Sequence, residues 1–286
     1  MKNKILIFLS LIALVVIFYL TLPDNQAKVV VCDVGQGDAI LATYKNIQLL
    51  VDVGPNNKKV LKCLENHLPF WDKTIEVVIL THGDSDHIGG LDDLLRSYKI
   101  DKFFSNGYLE AQVEQKIYSQ KIGQNDIISI GLFEFEVVWP PSIHSIDSRQ
   151  ASSGLKDGPA NSSAILAGKN ENSVVGILNW LPAVAGQEWS MFMSGDMDAE
   201  TEQRLVWRET LRPAQDQMDV LKVSHHGSAT GTSDEILEIL SPKVAVISVG
   251  KNNQFGHPND DILKKLEDKN IEILRTDMNG EILFKL

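Results

Sequence analysis

The sequence has few cysteines and few positive charges for its 286 residues. Only two cysteines occur, Cys32 and Cys63, which excludes a disulfide-rich scaffold. Cys32 lies in an apolar strand pattern, which favours a buried thiol, although a disulfide with Cys63 stays open. Lys and Arg total 27 against 38 Asp and Glu, so the net charge is -11. A broad electrostatic attraction to nucleic acid or anionic lipid is therefore not expected.

A long hydrophobic run stands near the N-terminus. From Ile5 to Leu22 the chain is apolar and uncharged, just long enough to cross a bilayer core of about 30 Å. This pattern is typical of a signal peptide or a signal anchor, and its length favours an uncleaved anchor. Because Lys2 and Lys4 precede the run and Asp24 follows it, the domain is expected outside the membrane. Secretion after signal cleavage is the alternative.

The chain divides into an anchor and linker, residues 1–27, and one main domain, residues 28–286. Short apolar or alternating runs predict strands in two comparable halves, with amphipathic helices between them. The predicted strands include Lys28 to Val34, Ala39 to Tyr44, Gln48 to Val53, Glu76 to Thr81, Phe133 to Val138, Ser163 to Ala167, Ser173 to Leu178, Met191 to Met193, Val220 to Val223, Val244 to Val249 and Ile271 to Leu274. This order predicts a layered α/β architecture, with sheets in the middle and helices outside.

Four metal-competent side chains lie within six residues of one another, directly after a predicted buried strand. They are His82, Asp84, Asp86 and His87. Ligands of open α/β sheets bind at this end of a strand, so the cluster predicts a metal site. A simpler alternative is that Asp86 caps the following helix, but capping does not account for all four residues.

Seven short motifs follow one another along the chain: Asp33 to Ala39, Val51 to Gly54, Thr81 to Gly90, Asn161 to Ser163, Ser194 to Asp196, Leu221 to Ser228 and Ser248 to Pro258. In this order they resemble the motifs of the metallo-β-lactamase superfamily, and most closely those of the C-terminal hydrolase domain of ComEC-type DNA-uptake proteins. The resemblance extends over nearly the whole chain from Lys28 onward. It implies a four-layer αββα sandwich, here preceded by one N-terminal hydrophobic helix.

The resemblance also implies that the chain binds one or two divalent metal ions. His82 and Asp84 would face the first ion, Asp86 and His87 the second, and Asp196 would bridge both. One member of the pair His225-His226 would complete the second site, while the other would contact the substrate or the leaving group. The sequence leaves open which histidine has which role.

Two positions depart from the superfamily pattern. Asp84 stands where the signature has a second histidine, and Asn161 stands where a third histidine usually binds the first ion. Both changes replace imidazole with oxygen donors, which shifts the expected preference from zinc toward manganese or magnesium. The resemblance further implies that Asp52 orients the metal loop without binding the ion itself.

Several other residues are expected near the site. Asp33 and Asp38 lie in a glycine-rich loop and are either turn formers or site residues. His257 is either a loop histidine or, with Asp86 and the histidine pair, part of the catalytic set. Lys222, Lys243 and Lys251 are candidates for a locally positive groove. His67 and His144 match no motif and are expected at the surface.

The expected activity is hydrolysis, since a divalent ion lowers the pKa of bound water and so generates hydroxide near neutral pH. The resemblance favours a phosphodiesterase, or nuclease, acting on DNA outside the membrane. Two alternatives stay open. One is an extracytoplasmic hydrolase of a cell-surface or small phosphoester, and the other is a non-catalytic metal-binding partner protein.

Overall fold

The computed structural model describes residues 2–20, 25–107, 109–141, 170–182, 188–207 and 217–286. Asn161, the loop predicted from His144 to Ala160 and the strand predicted from Ser163 to Ala167 lie outside the described residues.

The described chain alternates between strands and short helices. The strands are β1 (Lys28–Val31), β2 (Ile40–Tyr44), β3 (Ile47–Val51), β4 (Thr74–Leu80), β5 (Lys99–Ser105), β6 (Gln120–Lys121), β7 (Ile127–Ile130), β8 (Phe133–Trp139), β9 (Val175–Trp180), β10 (Trp189–Met193), β11 (Val220–Lys222), β12 (Val244–Ile247), β13 (Glu272–Arg275) and β14 (Ile282–Lys285). The helices are α1 (Lys2–Leu20), α2 (Lys59–His67), α3 (Ser85–Ile88), α4 (Leu91–Ser97), α5 (Ala111–Glu114), α6 (Ala199–Trp207), α7 (Asp234–Leu240), α8 (Asp260–Asp268) and α9 (Thr276–Asn279).

The strands form two mixed sheets of seven strands each. The first has the order β14-β1-β2-β3-β4-β5-β6, and the second has the order β13-β12-β11-β10-β9-β8-β7. Strands β3 to β6 are parallel in the first sheet, as are β10 to β13 in the second. Strand β14 pairs antiparallel with β1, so strands from the two ends of the domain lie side by side at one edge of the first sheet.

Three hydrophobic clusters define the layers. One lies between the two sheets and includes Val29, Leu49, Phe135 and Met191. A second lies between the first sheet and helices α2 and α4. The third lies between the second sheet and helices α6, α7 and α8. The helices therefore cover the outer faces of a two-sheet sandwich, and the predicted layered α/β architecture is confirmed.

The N-terminal segment forms helix α1, whose large apolar side chains are exposed along most of its length. Across the described part of the chain, no helix combines the length and the apolarity that crossing a membrane requires. The prediction of a membrane-crossing segment is therefore not supported. Lys2 and Lys4 lie in the first turn of α1, so its uncharged part is shorter than the whole helix.

The two cysteines form a disulfide, so the interpretation of Cys32 as a free buried thiol is wrong. Cys32 follows β1 and Cys63 lies on α2, with their Cα atoms 5.8 Å apart. Both residues are buried in the cluster between α2 and the first sheet. The bond therefore attaches α2 to the end of β1, from which the chain continues into the Asp33–Asp38 loop.

Candidate metal centre

Residues from four separate segments meet at one edge of the sandwich. Asp52 follows β3, His82 follows β4, Asp196 follows β10, and the pair His225-His226 follows β11. Strands β3 and β4 are parallel neighbours, and so are β10 and β11. The loops that follow these strands therefore open at the same edge of each sheet, where α/β proteins bind their ligands.

Backbone hydrogen bonds hold the metal-binding loop against the loops that follow β1 and β3. Asp38 N–H donates to the Asp86 carbonyl at 3.2 Å, and Val53 N–H donates to the His87 carbonyl at 2.8 Å. Gly37 adopts a φ of 134°, and a Cβ at this position would collide with the Asp86 carbonyl. Glycine is therefore required for the close approach of the two loops.

Four residues form the centre of the site. Asp86, His87, Asp196 and His226 each offer one ligand atom, and these atoms all lie within 4.8 Å of one another. Asp196 Oδ1 is 3.2 Å from His87 Nε2, and His226 Nε2 is 3.2 Å from Asp86 Oδ2. Three of the four residues are fully buried. Donor atoms at this spacing, from two carboxylates and two imidazoles, can hold one divalent cation.

The hydrogen-bond pattern supports this assignment. The side-chain atoms His82 Nε2, His87 Nε2, Asp196 Oδ1 and His226 Nε2 are buried, and none has a hydrogen-bond partner among the described residues. Unpaired buried polar atoms cost free energy, and native proteins satisfy nearly all of them. Four such atoms facing one another are explained by a cation, so the residues present fit a metal ion.

His82 and Asp84 lie next to the central group. His82 Nε2 is 3.6 Å from Asp84 Oδ2 and 3.8 Å from Asp196 Oδ2. Asp196 therefore lies within 4 Å of histidines from both predicted ion positions, and its bridging role stays a prediction. Asp84 is about one-third exposed, which leaves the first position open to solvent on one side.

The two adjacent histidines point in different directions. His226 is buried, and its Nδ1 lies 2.9 Å from the Ser248 carbonyl, so Nδ1 donates and Nε2 is left to face the cluster. The His225 side chain is 30% exposed, and its Nε2 lies 3.7 Å from Asp196 Oδ2. His226 is therefore the better metal ligand, while His225 borders the opening of the site.

This division depends on an unusual backbone. His225 and His226 both have positive φ angles, 47° and 55°, inside the turn Ser224–Gly227. L-residues adopt this conformation at a cost of about 1–2 kcal/mol each, and such strain concentrates at functional sites. Consecutive left-handed residues direct the two imidazoles to different faces of the turn.

Asp52 and Thr81 support the metal loop from below. His87 Nδ1 lies 2.7 Å from Asp52 Oδ2, and Thr81 Oγ1 donates to the same oxygen at 2.7 Å. Thr81 N–H donates to Asp52 Oδ1 at 2.8 Å. These bonds fix the His87 ring with Nδ1 as the donor, so that Nε2 can bind a cation.

Lys222 lies under the site and not in an open groove. Its side chain is 1% exposed, and its ammonium contacts Asp38 and donates to the Gly195 carbonyl at 3.0 Å. The same ammonium is 3.7 Å from Asp196 Oδ1. The prediction that Lys222 lines a positive surface is wrong, because β11 is buried on both faces.

Burial and charged neighbours together set the pKa values of the basic groups in the site. Burial alone would lower the pKa of His87, but the carboxylates of Asp196 and Asp52 outweigh it and hold this pKa well above its usual value. Burial, reinforced by His87, lowers the pKa of His82 well below its usual value. For Lys222, burial is outweighed by Asp38 and Asp196, which raise its pKa and keep it charged.

The two carboxylates of the central group stay ionised. Burial would raise the pKa of Asp196, but His87, His226 and Lys222 together hold it well below its usual value. Burial acts on Asp86 in the same direction, but the nearby imidazoles of His226 and His87 outweigh it and lower the pKa of Asp86 to about 2. The site therefore offers two ionised carboxylates and a neutral imidazole at His82, whereas the raised pKa of His87 means that an ion binding there would displace its proton.

The remaining predicted residues lie around this centre. His257 is next to it, with its ring centroid 5.8 Å from that of His225. Asp33 lies outside the cluster, where it pairs with Lys59 at 3.2 Å and accepts from Gly35 N–H, so it is a turn former. Lys243 pairs with Asp219 at the opposite end of β12, so it borders no groove at the site.

Three contributors were not predicted as site residues. Thr81 directly precedes the His82 motif, and its hydroxyl fixes Asp52. Ser248 accepts from His226 through its main chain, so its side-chain identity gives no signal. Phe255 lies in the last motif and is exposed beside His257. Its position between two asparagines and a Gly-His-Pro sequence is the only signal that the sequence offers.

The sandwich and its edge cluster of carboxylates and imidazoles are similar to the fold and site of metallo-β-lactamase-fold proteins. The sequence profile described as the metallo-beta-lactamase superfamily matches residues 32–116, which include the whole Thr81 to Gly90 motif. The resemblance inferred from the motifs is confirmed.

The more specific resemblance, to ComEC-type proteins, is also confirmed. ComE operon protein 3 of Bacillus subtilis (strain 168) is 29% identical over 295 residues, which cover 92% of this chain and 33% of that protein. Competence protein ComA of Neisseria gonorrhoeae is 26% identical over 264 residues, covering 92% and 33%. The chain thus spans about a third of the length of these relatives.

A solved structure has the same fold. The metallo-beta-lactamase fold protein YhfI from Bacillus subtilis superposes with a TM-score of 0.54 at 13% identity, covering 91% of this chain and 100% of that one. At this identity the likeness concerns the fold alone.

Proposed function

We propose that this domain is a metal-dependent phosphodiesterase that cleaves DNA. The observation that carries the proposal is the set of buried, unpartnered donor atoms around Asp196, which can hold divalent cations at an edge open to solvent. A divalent ion bound there would supply a water of lowered pKa and would polarise the scissile phosphate.

Side chains of the site would bind the ion, orient one another and move a proton. Asp196 is positioned to contact both groups of donors, and Asp52 keeps the His87 ring in the orientation that presents Nε2. His225 and His257 stand at the opening, and neither is needed for the central group. We assign to one of them the delivery of a proton to the leaving oxygen. Burial lowers the pKa of both, so both are neutral near pH 7, and the one that acts must first take up a proton, which the attacking water would release.

Two observations support DNA as the substrate. The curated relatives include one named a competence protein, although the chain covers only a third of it. Lys251 lies exposed in the loop after β12, at the same edge as the cluster, where it can meet a phosphate. The net charge of -11 favours a different ester, because Lys222 is buried and adds no positive surface. A small or cell-surface phosphoester is therefore the second candidate.

The identity of the metal follows the donor set. Asp84 gives the first position an oxygen ligand beside a single imidazole, whereas the second position has two imidazoles. We propose manganese for the first position and manganese or zinc for the second.

The extracytoplasmic location stays a prediction, as does attachment to a membrane through α1. The Cys32–Cys63 disulfide supports the location, since disulfides persist in oxidising compartments. Protease accessibility of the domain in intact cells, compared with permeabilised cells, tests the location.

The substrate is tested with the purified protein. Single-stranded DNA and bis-p-nitrophenyl phosphate are incubated with manganese, with zinc and with a chelator. Cleavage of both substrates only with metal is the expected result. Cleavage of the small ester alone would support the second candidate. Cleavage of neither would indicate a non-catalytic metal-binding protein. Asp196→Asn should abolish any true activity, whereas Asp33→Asn, outside the cluster, should retain it.

A further inference from the structure

Phe255 is an exposed aromatic residue beside the metal centre. Its side chain is 69% exposed, although it lies in the Gly250–Pro258 loop that follows β12 at the site edge. Single exposed apolar residues are common on protein surfaces and need no explanation alone. Phe255 differs from them because it lies beside His257 and because hydrogen bonds hold the backbone that carries it.

The loop is held rigidly by Asn253. Its Nδ2 donates to the carbonyls of Gly250 and His257, at 3.0 and 2.7 Å. Its Oδ1 accepts from the N–H groups of Phe255 and His257, at 3.1 and 3.0 Å. Gly250 N–H in turn donates to Gln36 Oε1 at 3.2 Å, which attaches the loop to the segment that leads to Asp38. The backbone that carries Phe255 is thus fixed by hydrogen bonds.

A series of three rings leads from solvent to the cluster. The Phe255 ring stacks on the His257 ring with centroids 5.7 Å apart and planes inclined by 28°. His257 in turn contacts the edge of His225, at 5.8 Å and 75°. His225 Nε2 is 3.7 Å from Asp196 Oδ2. The outer face of Phe255 is therefore a flat apolar surface about two rings away from the cation-binding atoms.

The combination of a cation centre and a flat ring selects the ligand chemistry. Cations bind a phosphate, and an aromatic face binds another planar ring by stacking. A nucleotide carries both groups on one short covalent frame.

We propose that Phe255 is a stacking platform for the nucleobase next to the scissile phosphate, and that it determines the preference for nucleotide esters over other esters. This proposal rests on the phosphodiesterase function proposed above. Every base has an aromatic face, so the preference is for nucleotides in general and not for one sequence.

The kinetic test compares two esters that share one leaving group, thymidine 5′-p-nitrophenyl phosphate and methyl p-nitrophenyl phosphate, with the manganese-loaded protein. The measured quantity is the ratio of kcat/KM for the thymidine ester to that for the methyl ester. Phe255→Ala should lower this ratio by about 5- to 150-fold, the range expected for loss of one stacked base. Phe255→Leu should lower it as well, whereas Phe255→Trp should preserve it.

The matched control is Phe70→Ala. Phe70 is 68% exposed and lies before the start of β4, at the opposite end of that strand from the metal loop. This variant should leave the ratio unchanged. An unchanged ratio in Phe255→Ala would overturn the proposal. This includes the case in which both esters lose activity equally, which would indicate a structural role for the loop.

A binding measurement separates this proposal from the proposed function. The 5′-monophosphate of 2-aminopurine deoxyriboside has no diester to cleave, and its fluorescence is quenched when the base stacks. With zinc-loaded protein, Phe255→Ala should raise its Kd by about 5- to 150-fold, and Phe255→Trp should not. If the wild-type protein cleaves neither ester but shows this pattern, the proposed activity fails and the stacking site stands. Equal Kd values for the wild-type protein and Phe255→Ala would overturn the stacking site.

Discussion

His87 Nδ1 lies 2.7 Å from Asp52 Oδ2, so a residue after β3 fixes a metal-binding imidazole of the loop after β4. Asp52 itself has a positive φ of 58°, a conformation that Asn and Asp tolerate better than other residues with a Cβ. The strand ends and the metal loop are thereby coupled. The consequence is that metal affinity depends on a residue that does not face the ion.

Asp52→Asn tests this coupling. Asparagine retains the shape and the backbone preference of Asp52 but loses the charge that holds the His87 ring. We expect affinity for manganese to fall by about 10- to 100-fold, the range typical of such supporting residues. Calorimetric titration of metal into the stripped protein measures this. Asp33→Asn is the control, and equal affinities for Asp52→Asn and the wild-type protein would refute the coupling.

Lys222 balances the buried acids Asp38 and Asp196. Lys222→Met has similar length but leaves these carboxylates without their cation. Removing one partner of a buried ion pair costs about 3–5 kcal/mol, so the free energy of unfolding of the metal-free protein should fall by that amount. Adding Asp38→Asn to this variant should restore part of the loss. Urea unfolding of the wild-type protein, the two single variants and the double variant decides the matter, and additive losses would show that the pair is not coupled.

The disulfide predicts a sensitivity to reducing agents. Cys32 and Cys63 are 31 residues apart, and closing such a loop stabilises a protein by about 2–4 kcal/mol. We expect reductant to lower the Tm of the wild-type protein. The double variant Cys32→Ala/Cys63→Ala should have a lower Tm than the oxidised wild-type protein, and reductant should not change it. A wild-type Tm that does not respond to reductant under unfolding conditions would contradict the pairing.

Glu202 on α6 predicts a pH dependence of stability. Burial raises the pKa of its carboxyl to about 7, against a usual value of 4.5. Between these two pH values the folded state holds a proton that the unfolded state releases, so stability falls as pH rises through this window. The total loss is about 3 kcal/mol, from about 1.4 kcal/mol per pKa unit.

Glu202→Gln removes this loss while keeping an oxygen that can accept from Ser233 N–H, as Glu202 does at 2.6 Å. The difference in unfolding free energy between the variant and the wild-type protein should therefore grow from pH 5 to pH 8. Glu200→Gln, on an exposed position of the same helix, should show no such trend. A constant difference across this range would disprove the raised pKa.

The metal loop could be predicted because its signals are local. His82, Asp84, Asp86 and His87 lie within six residues, directly after a strand whose β-branched run is plain in the sequence. The two-layered sheet arrangement followed from the order of strands and helices. Which ion each of these residues binds stays a prediction.

Other features depend on contacts between distant residues and gave no local signal. Strand β14 pairs with β1 across the whole domain, Lys28 lying opposite Lys285. The different orientations of His225 and His226 depend on two left-handed backbone conformations that no residue type at those positions indicates. The sequence predicts Lys222 at the surface because charged residues are rarely buried, yet two acids from other segments contact it.

The central claim is that Asp86, His87, Asp196 and His226 hold a divalent cation. The most direct measurement is the metal content per chain, by mass spectrometry, after loading with manganese and dialysis. We expect at least one ion per wild-type chain, a loss of that ion in His226→Ala, and retention in His67→Ala, whose histidine pairs with Glu281 away from the site. Full metal content in His226→Ala and in Asp196→Asn would contradict the account.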